Sequence, residues 1–425
     1  MATGAPSARE EWASGWSVVF AASVGFSLFS VMLSAAGIFM QPLGQEFGWS
    51  RTTLSAGLAV ATFVTAILSP FFGILIDKYG SRRLALPGIV LTTLGMASFG
   101  LMTGSTEMWI GLWVVFGMIL VTVKSTVWSA AVAHRFTHSR GLALGLVIAG
   151  TAVSQGTVPM LGNWLIENYG WRQAYIWLAF GWGSMTFVIC YFLFKDGYAK
   201  PGSQTADQMR ETAEIKAAVP GLTVKQAVRS PALWMILISS FIVMAVTQGF
   251  SVHLFPILTE SGIARAQAAQ LLVVSAVAAV IGKLATGWML DRFRPNWVGG
   301  LTLAACALAF APLMEGARSM PLVIFALVVN GYAIGTKTNI TLFFAAEYGG
   351  MRNFGKIYGT ISAIITFASA LGPLLAGRLY DTSGSYDSFL MLGVIGCVIG
   401  GLMLIVLPSA PRWKAQEDEL AAQFA

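Results

Sequence analysis

Charged residues are scarce in this chain. Asp, Glu, Lys and Arg make up 11% of its 425 residues, whereas 56% are hydrophobic. Soluble globular proteins carry about 25% charged residues. At half that density the chain cannot cover an ordinary domain with polar groups in water, which excludes a typical soluble protein. We therefore predict a membrane protein whose apolar surface faces the lipid bilayer.

Cysteine is also rare. Cys190, Cys306 and Cys397 lie in separate apolar runs, far apart in the sequence. This pattern excludes a disulfide framework and a metal site. The net charge of +7 does not indicate nucleic-acid binding, because the basic residues fall in short loops between apolar segments.

Enzyme signatures are absent as well. The chain has no HExxH motif, no phosphate-binding glycine loop followed by Lys-Ser/Thr, and no paired carboxylates at mid-span depth. We predict neither a cofactor nor an enzymatic activity, and ATP-driven pumping is not expected.

Long apolar runs are what the chain does contain. A helix needs about 20 apolar residues to cross the hydrocarbon core of a bilayer. The sequence therefore predicts an all-α membrane protein with twelve transmembrane helices. The predicted spans are 17–42, 53–76, 84–104, 107–133, 141–165, 172–194, 231–258, 266–290, 297–315, 320–346, 356–379 and 387–408.

The longest polar stretch divides these spans six and six. We expect an N-terminal six-helix bundle at 1–194, a cytoplasmic linker at 195–230, a C-terminal bundle at 231–408 and a cytoplasmic tail at 409–425. Eighteen lysines and arginines fall on the side of the termini and the linker, and five on the other side. Because cytoplasmic loops carry the excess of positive charge, both termini are predicted to be cytoplasmic in a multi-pass inner (plasma) membrane protein.

The two halves repeat one another at an offset near 214 residues. Gly73–Asp77 (GILID), after span 2, matches Gly287–Asp291 (GWMLD), after span 8. Parallel six-span repeats predict two pseudo-symmetric bundles with a substrate site near the midplane.

The segment from Gly73 to Arg83 (GILIDKYGSRR) resembles the signature loop between spans 2 and 3 of the major facilitator superfamily. In that superfamily this loop acts as a gate latch, so the resemblance implies gating roles for Asp77 and Arg83, and for Asp291 in the second repeat. The second copy departs from the pattern, with Pro295 where a glycine-containing turn is expected. The basic residues alone would also fit the cytoplasmic charge bias.

Shorter stretches are similar to the monocarboxylate transporter and oxalate:formate antiporter branch of that superfamily. They are GWSVV from Gly15, RGLALG from Arg140 and YGWR from Tyr169. This similarity implies a transporter of small organic anions.

Three lysines, Lys124, Lys283 and Lys337, lie at mid-span depth, where none of the nineteen acidic residues lies. A basic side chain at the bilayer centre costs at least about 2.5–3.5 kcal/mol on insertion scales. The simplest partner for these cations is an anionic substrate. Lys124 and Lys337 are 213 residues apart, close to the repeat offset, and are expected to face one central cavity. Snorkelling to the interface is the alternative, and it fits Lys283 best.

The resemblance adds a role for Lys283, which stands where monocarboxylate transporters carry a substrate-binding arginine. Two positions depart from that family. Ala279 replaces an aspartate linked to proton coupling, and span 1 has no lysine. Coupling therefore stays open between proton symport, carried by a buried lysine or by His253, and anion exchange.

Further polar and aromatic side chains complete the predicted substrate site. Trp128 lies one helical turn from Lys124, and Asn330 two turns from Lys337, so each shares a face with its lysine. The full set of accompanying residues is Trp128, Gln248, His253, Asn330 and Tyr332. Packing and helix–helix contact are the alternative roles for His253 and Gln248.

These observations predict a secondary active transporter of a small organic anion, a carboxylate with an apolar or aromatic remainder, working by alternating access. One alternative is an exporter of drugs or acidic metabolites. Another is a membrane sensor that binds an anion without transporting it.

Overall fold

The computed structural model describes residues 8–136, 139–195, 221–314, 319–350 and 352–411, and most of them are helical. The helices are α1 Ala8–Phe47, α2 Arg51–Tyr79, α3 Ser81–Ser98, α4 Thr106–Leu120, α5 Ser125–Arg135, α6 Arg140–Leu193, α7 Val224–Arg229, α8 Pro231–Glu260, α9 Arg265–Arg292, α10 Pro295–Ala305, α11 Met320–Gly349, α12 Phe354–Ser383 and α13 Asp387–Ile405. The predicted all-helical class is confirmed.

Helix α6 contains two predicted spans. It is 54 residues long, and Gly170 interrupts it with φ 78° and ψ 162°. A glycine adopts positive φ without a steric penalty, so the chain turns here between the spans predicted at 141–165 and 172–194. The described residues contain eleven helical segments long and apolar enough to cross a membrane. Since α6 supplies two spans, they correspond to the twelve predicted ones.

The chain forms two compact units. The first contains residues 1–201 and 252–277, and the second contains 202–251 and 278–425. The boundaries between the units thus fall within α8 and α9. The division into bundles at 1–194 and 231–408 stays a prediction. Most of the predicted linker and nearly all of the predicted tail, residues 196–220 and 412–425, lie outside the described residues.

Each unit packs in its own way. In the first unit, the buried ring of Phe99 contacts those of Trp109, Trp113 and Phe116 at centroid distances of 5.8, 5.0 and 5.7 Å. In the second unit, α8 and α12 approach closely at Gly372, where an added Cβ would lie 2.0 Å from the Ala245 carbonyl oxygen. Small residues of this kind allow close helix packing in membranes.

Candidate functional site

Lys124 lies at a break in the fourth span. Helix α4 ends at Leu120, a 3-10 turn covers Val121–Val123, and Lys124 is extended (φ −68°, ψ 161°) before α5 begins. The sequence predicted an apolar span over 107–133 but not this interruption. Non-helical backbone at membrane depth is tolerated where protein buries it or where it lines a cavity. The break therefore marks a specialised position within the first unit.

Trp128 stabilises the break. Its fully buried indole nitrogen Nε1 donates to the Val123 carbonyl oxygen at 2.9 Å, an acceptor at the end of the 3-10 turn. The ring also packs against Phe194, with 5.0 Å between centroids. These contacts are structural, and a substrate contact by Trp128 stays a prediction.

The Lys124 ammonium has a neutral hydroxyl as its partner. Nζ donates to Ser69 Oγ on α2 at 2.7 Å. The Ser69 hydroxyl in turn donates to the Thr65 carbonyl oxygen, one turn earlier on the same helix, at 2.6 Å. The hydroxyl spends its single proton on that carbonyl, so its lone pair faces the lysine.

Lys337 repeats this arrangement in the second unit. It is buried on α11, and its Nζ donates to Thr247 Oγ1 on α8 at 2.9 Å. Thr247 Oγ1 donates to the Val243 carbonyl oxygen, again one turn earlier, at 2.6 Å. Each mid-span lysine is thus held by a hydroxyl that is already committed to its own helix.

The repeat offset relates the two partners to different positions. Thr247 corresponds to Ser34 on α1, at the same offset of 213 residues that relates Lys337 to Lys124. Ser69, the partner of Lys124, corresponds to Lys283. In the second unit a cation therefore occupies the position that holds the acceptor in the first. Because like charges repel, Lys337 cannot pair there and bonds to α8 instead.

Lys283 and Tyr332 lie on the two helices that pack together around Gly335. An added Cβ on Gly335 would lie 2.2 Å from the Ala279 carbonyl oxygen, so α9 and α11 are in backbone contact. Lys283 is half-buried on α9. The half-buried Tyr332 accepts a hydrogen bond from Thr286 Oγ1 to its hydroxyl at 3.2 Å.

Asn330 is 2% exposed, and its amide nitrogen Nδ2 has no hydrogen-bond partner in the described part of the chain. Leaving such a group unpaired costs about 1–3 kcal/mol, so it is a candidate ligand donor. Gln248 on α8 is half-buried. Both residues belong to the second unit, with Lys283, Lys337 and Tyr332.

His253 belongs to the first unit. It is fully buried, and its Nε2 lies 3.0 Å from Ser55 Oγ on α2. The sequence placed His253 and Gln248 in one span, yet the boundary between the units separates them.

Charge compensation is missing at the lysines. Among the described residues, none of the ammonium groups of Lys124, Lys283 and Lys337 forms an ion pair with a carboxylate. The ion pairs found there lie at span ends: Arg51 with Glu260 at 2.7 Å, and Arg172 with Glu46 at 2.6 Å. The lysines therefore keep an uncompensated positive charge.

Sequence reasoning missed Arg265, which it counted only as a charge in a loop. The guanidinium donates to Ile38 O at 3.1 Å, to Asn163 Oδ1 at 3.2 Å and to Gln41 Oε1. It also lies over the Phe255 ring at 5.0 Å. The partner hydroxyls Ser69 and Thr247 were missed too, because serine and threonine in apolar spans usually bond to their own helix and give no distinct signal.

The predicted gating residues are only partly described. Arg83 is exposed, and the side chains of Asp77 and Asp291 lie outside the description. The neighbouring Arg82 has a clear role, since it donates to the carbonyl oxygens of Tyr191 at 2.6 Å and of Phe194. These acceptors lie at the carboxyl end of α6, which Arg82 therefore caps.

Comparisons with known proteins agree with this architecture. Residues 15–335 and 254–424 match the Major Facilitator Superfamily. Monocarboxylate transporter 13 of Bos taurus is 27% identical over 95% of this chain and 92% of its own length. Monocarboxylate transporter 11 of Mus musculus is 25% identical over 93% and 88%.

A solved structure shares the fold. The bacterial homologue of the human lysosomal transporter Spinster superposes with a TM-score of 0.64, at 16% identity, over 98% of this chain and 99% of its own.

The helices and their buried, uncompensated lysines define a polytopic membrane transporter rather than an enzyme. More particularly, the chain belongs to the Major Facilitator Superfamily, and its similarity to monocarboxylate transporters confirms the resemblance found in the sequence.

Proposed function

We propose that this chain is a secondary active transporter of a small organic anion, working by alternating access. The observation that carries the proposal is the pairing of Lys124 and Lys337 with neutral hydroxyls, at 2.7 and 2.9 Å, inside apolar spans. Holding an uncompensated cation at this depth is costly. A carboxylate substrate supplies the missing countercharge.

The chemistry of the lysines supports a carboxylate in particular. An ammonium is a point charge with three rotatable donors, whereas arginine grips a carboxylate with two parallel bonds. We therefore propose that Lys283 and Lys337 contact one carboxylate oxygen each or share one. The unpaired amide of Asn330 adds a neutral donor for the substrate, and Tyr332 and Gln248 contact its remainder, which is apolar or aromatic.

The first experiment is a thermal-shift screen of purified protein against mono-, di- and aromatic carboxylates, with cationic and neutral compounds beside them. A ligand at 100 times its Kd stabilises the fold by about 2.7 kcal/mol. We expect carboxylates to raise the Tm, and Lys124→Gln or Lys337→Gln to abolish the shift. Lys195→Gln, the same change at an exposed lysine, is the matched control and keeps the shift. A response to cations or neutral compounds alone would contradict the proposal.

Coupling is tested in proteoliposomes. We propose two mechanisms that differ in one measurement: anion exchange, in which the bound anion compensates the lysines during reorientation, and proton symport through a lysine or His253. Uptake that follows an imposed pH gradient supports symport. Uptake that requires an anion on the opposite side and ignores the gradient supports exchange. Export of acidic metabolites uses the same site, and net flux from loaded vesicles decides the direction.

We also propose a location and a latch. Both termini face the cytoplasm of the inner membrane, and Asp77, Arg83 and Asp291 take part in gating. A cysteine introduced at Ala2 and another at Ser383 would be labelled by an impermeant maleimide from opposite sides. Labelling of both from one side would contradict the orientation.

A further inference from the structure

A large groove opens at the end of the second unit where α8 begins. It is formed by α7, the first turns of α8 and the first turns of α12, and its volume is about 880 Å³. Its walls are mostly aliphatic, with Val228, Leu237 and Ile361 among the lining residues. None of the residues assigned to transport lines it, so the groove is separate from the substrate site.

The short helix α7 is firmly attached at this place. Thr223 and Gln226 form a capping box at its start, with the Thr223 amide donating to Gln226 Oε1 at 2.9 Å. The Leu222 amide donates to the Gly349 carbonyl oxygen at 2.9 Å, and Asn353 Nδ2 donates to the Leu222 carbonyl oxygen at 2.9 Å. These bonds join α7 to the turn between α11 and α12, so one wall of the groove is a built feature.

The sequence of α7 separates apolar from basic residues. Val224 and Val228, one turn apart, line the groove, and Lys225 and Arg229, also one turn apart, are exposed beside them. Lys356, on α12, adds a third cation and lines the groove itself. None of the thirteen lining residues, all of them described, is acidic.

Trp234 marks the depth of the groove. Its ring is 48% exposed, and its Nε1 donates to the Val228 carbonyl oxygen at 2.7 Å. Tryptophan is enriched at the boundary between lipid tails and headgroups. The groove thus combines apolar walls, an interfacial aromatic residue and cations, on the side predicted to be cytoplasmic.

We propose that this groove binds an anionic phospholipid of the cytoplasmic leaflet. Its acyl chain lies between α7, α8 and α12, and its phosphate lies against Lys356, with Lys225 and Arg229 at the rim. Anionic lipids concentrate in that leaflet and attract basic residues near the surface. The inference does not depend on the identity of the transported substrate.

The test uses the full-length protein in detergent, with dioleoylphosphatidylglycerol or dioleoylphosphatidylcholine added while the Tm is measured. We expect the anionic lipid to raise the Tm, and the zwitterionic lipid and inorganic phosphate to leave it unchanged. Lys356→Gln should weaken the apparent affinity about fivefold, from the value of one basic residue near an anionic surface. Arg294→Gln removes an exposed charge of the same unit outside the groove and should have no effect.

A second variant tests the acyl chain and leaves every charge in place. Gly359 lines the groove, and an added Cβ there meets no atom within 4 Å, so Gly359→Leu fills the groove without a backbone clash. It should abolish the lipid-induced shift. Gly355→Leu, at another open glycine on α12 that does not line the groove, should preserve it.

Several results would overturn the proposal. They are equal shifts with both lipids, a shift reproduced by phosphate alone, no shift with either lipid, and a full shift in Gly359→Leu. The acidic tail, with Glu417, Asp418 and Glu419, is the rival occupant. If the anionic lipid acts only on a variant lacking residues 415–425, the tail fills the groove and the lipid proposal is wrong.

Discussion

Lys337 and Thr247 form a buried pair in which the ammonium nitrogen lies 2.9 Å from the threonine hydroxyl oxygen. Lys337 is 7% exposed and Thr247 is 1% exposed. The same hydroxyl donates to the Val243 carbonyl oxygen at 2.6 Å. Within the described chain, the charge of Lys337 therefore meets a neutral acceptor, which keeps the lysine in place without neutralising it.

Thr247→Val tests the structural value of this pair. Valine has nearly the shape of threonine but cannot accept a hydrogen bond, so the buried ammonium loses a partner. We expect the free energy of unfolding to fall by about 1–3 kcal/mol, read as a lower Tm in the absence of ligand. Thr247→Ser keeps the hydroxyl and should retain most of the stability. Equal stability of Thr247→Val and the unmodified protein would show that the bond contributes little.

Asn330→Leu should separate stability from ligand binding. The Asn330 amide is buried without a donor contact among the described residues, so an apolar side chain of similar size should leave the Tm of the unliganded protein unchanged or higher. The carboxylate-induced shift should shrink, because a donor to the substrate is lost. Asn296→Leu is the comparison, since Asn296 Nδ2 donates to the Leu407 carbonyl oxygen at 3.1 Å and its loss should destabilise. A full carboxylate shift in Asn330→Leu would remove Asn330 from the site.

Gly25 and Trp128 are predicted to behave as a coupled pair. A Cβ added to Gly25 would lie 2.2 Å from Cη2 of the Trp128 ring, so Gly25→Ala should lower the Tm through overpacking. Trp128→Phe removes the outer ring and also the bond to the Val123 carbonyl oxygen, and should destabilise on its own. The double variant should be more stable than the sum of the two losses, measured as a double-mutant cycle. Strict additivity would mean that the helices move apart instead.

Arg265→Met should destabilise the first unit. The guanidinium bonds to Ile38 O, Asn163 Oδ1 and Gln41 Oε1, and hydrogen bonds to charged groups contribute about 1.5–3 kcal/mol each. We expect a Tm lower by several degrees. Arg378→Met, at an exposed arginine, is the control and should change the Tm little. If both variants melt alike, the contacts of Arg265 do not contribute to the stability of the native state.

The number and extent of the spans followed from the sequence because lipid demands long apolar runs, whatever the helices pack against. Even the division of α6 was predicted, since the polar residues around Gly170 separate two such runs. The mid-span lysines were found for the same reason: a charge in an apolar run is an exception that composition alone exposes. Family membership followed from the loop between Gly73 and Arg83, whose residue types and spacing are specific.

Tertiary structure alone decided the partners of those lysines. The break at Lys124 follows a Val-Thr-Val stretch with no glycine or proline to announce it. Ser69 and Thr247 could not be chosen among the many hydroxyls of the spans. Which hydroxyl meets a lysine depends on the rotation and depth of each helix against its neighbour, and these are set by packing across distant parts of the chain. Local sequence determines that a residue is in the membrane, whereas packing determines what it touches there.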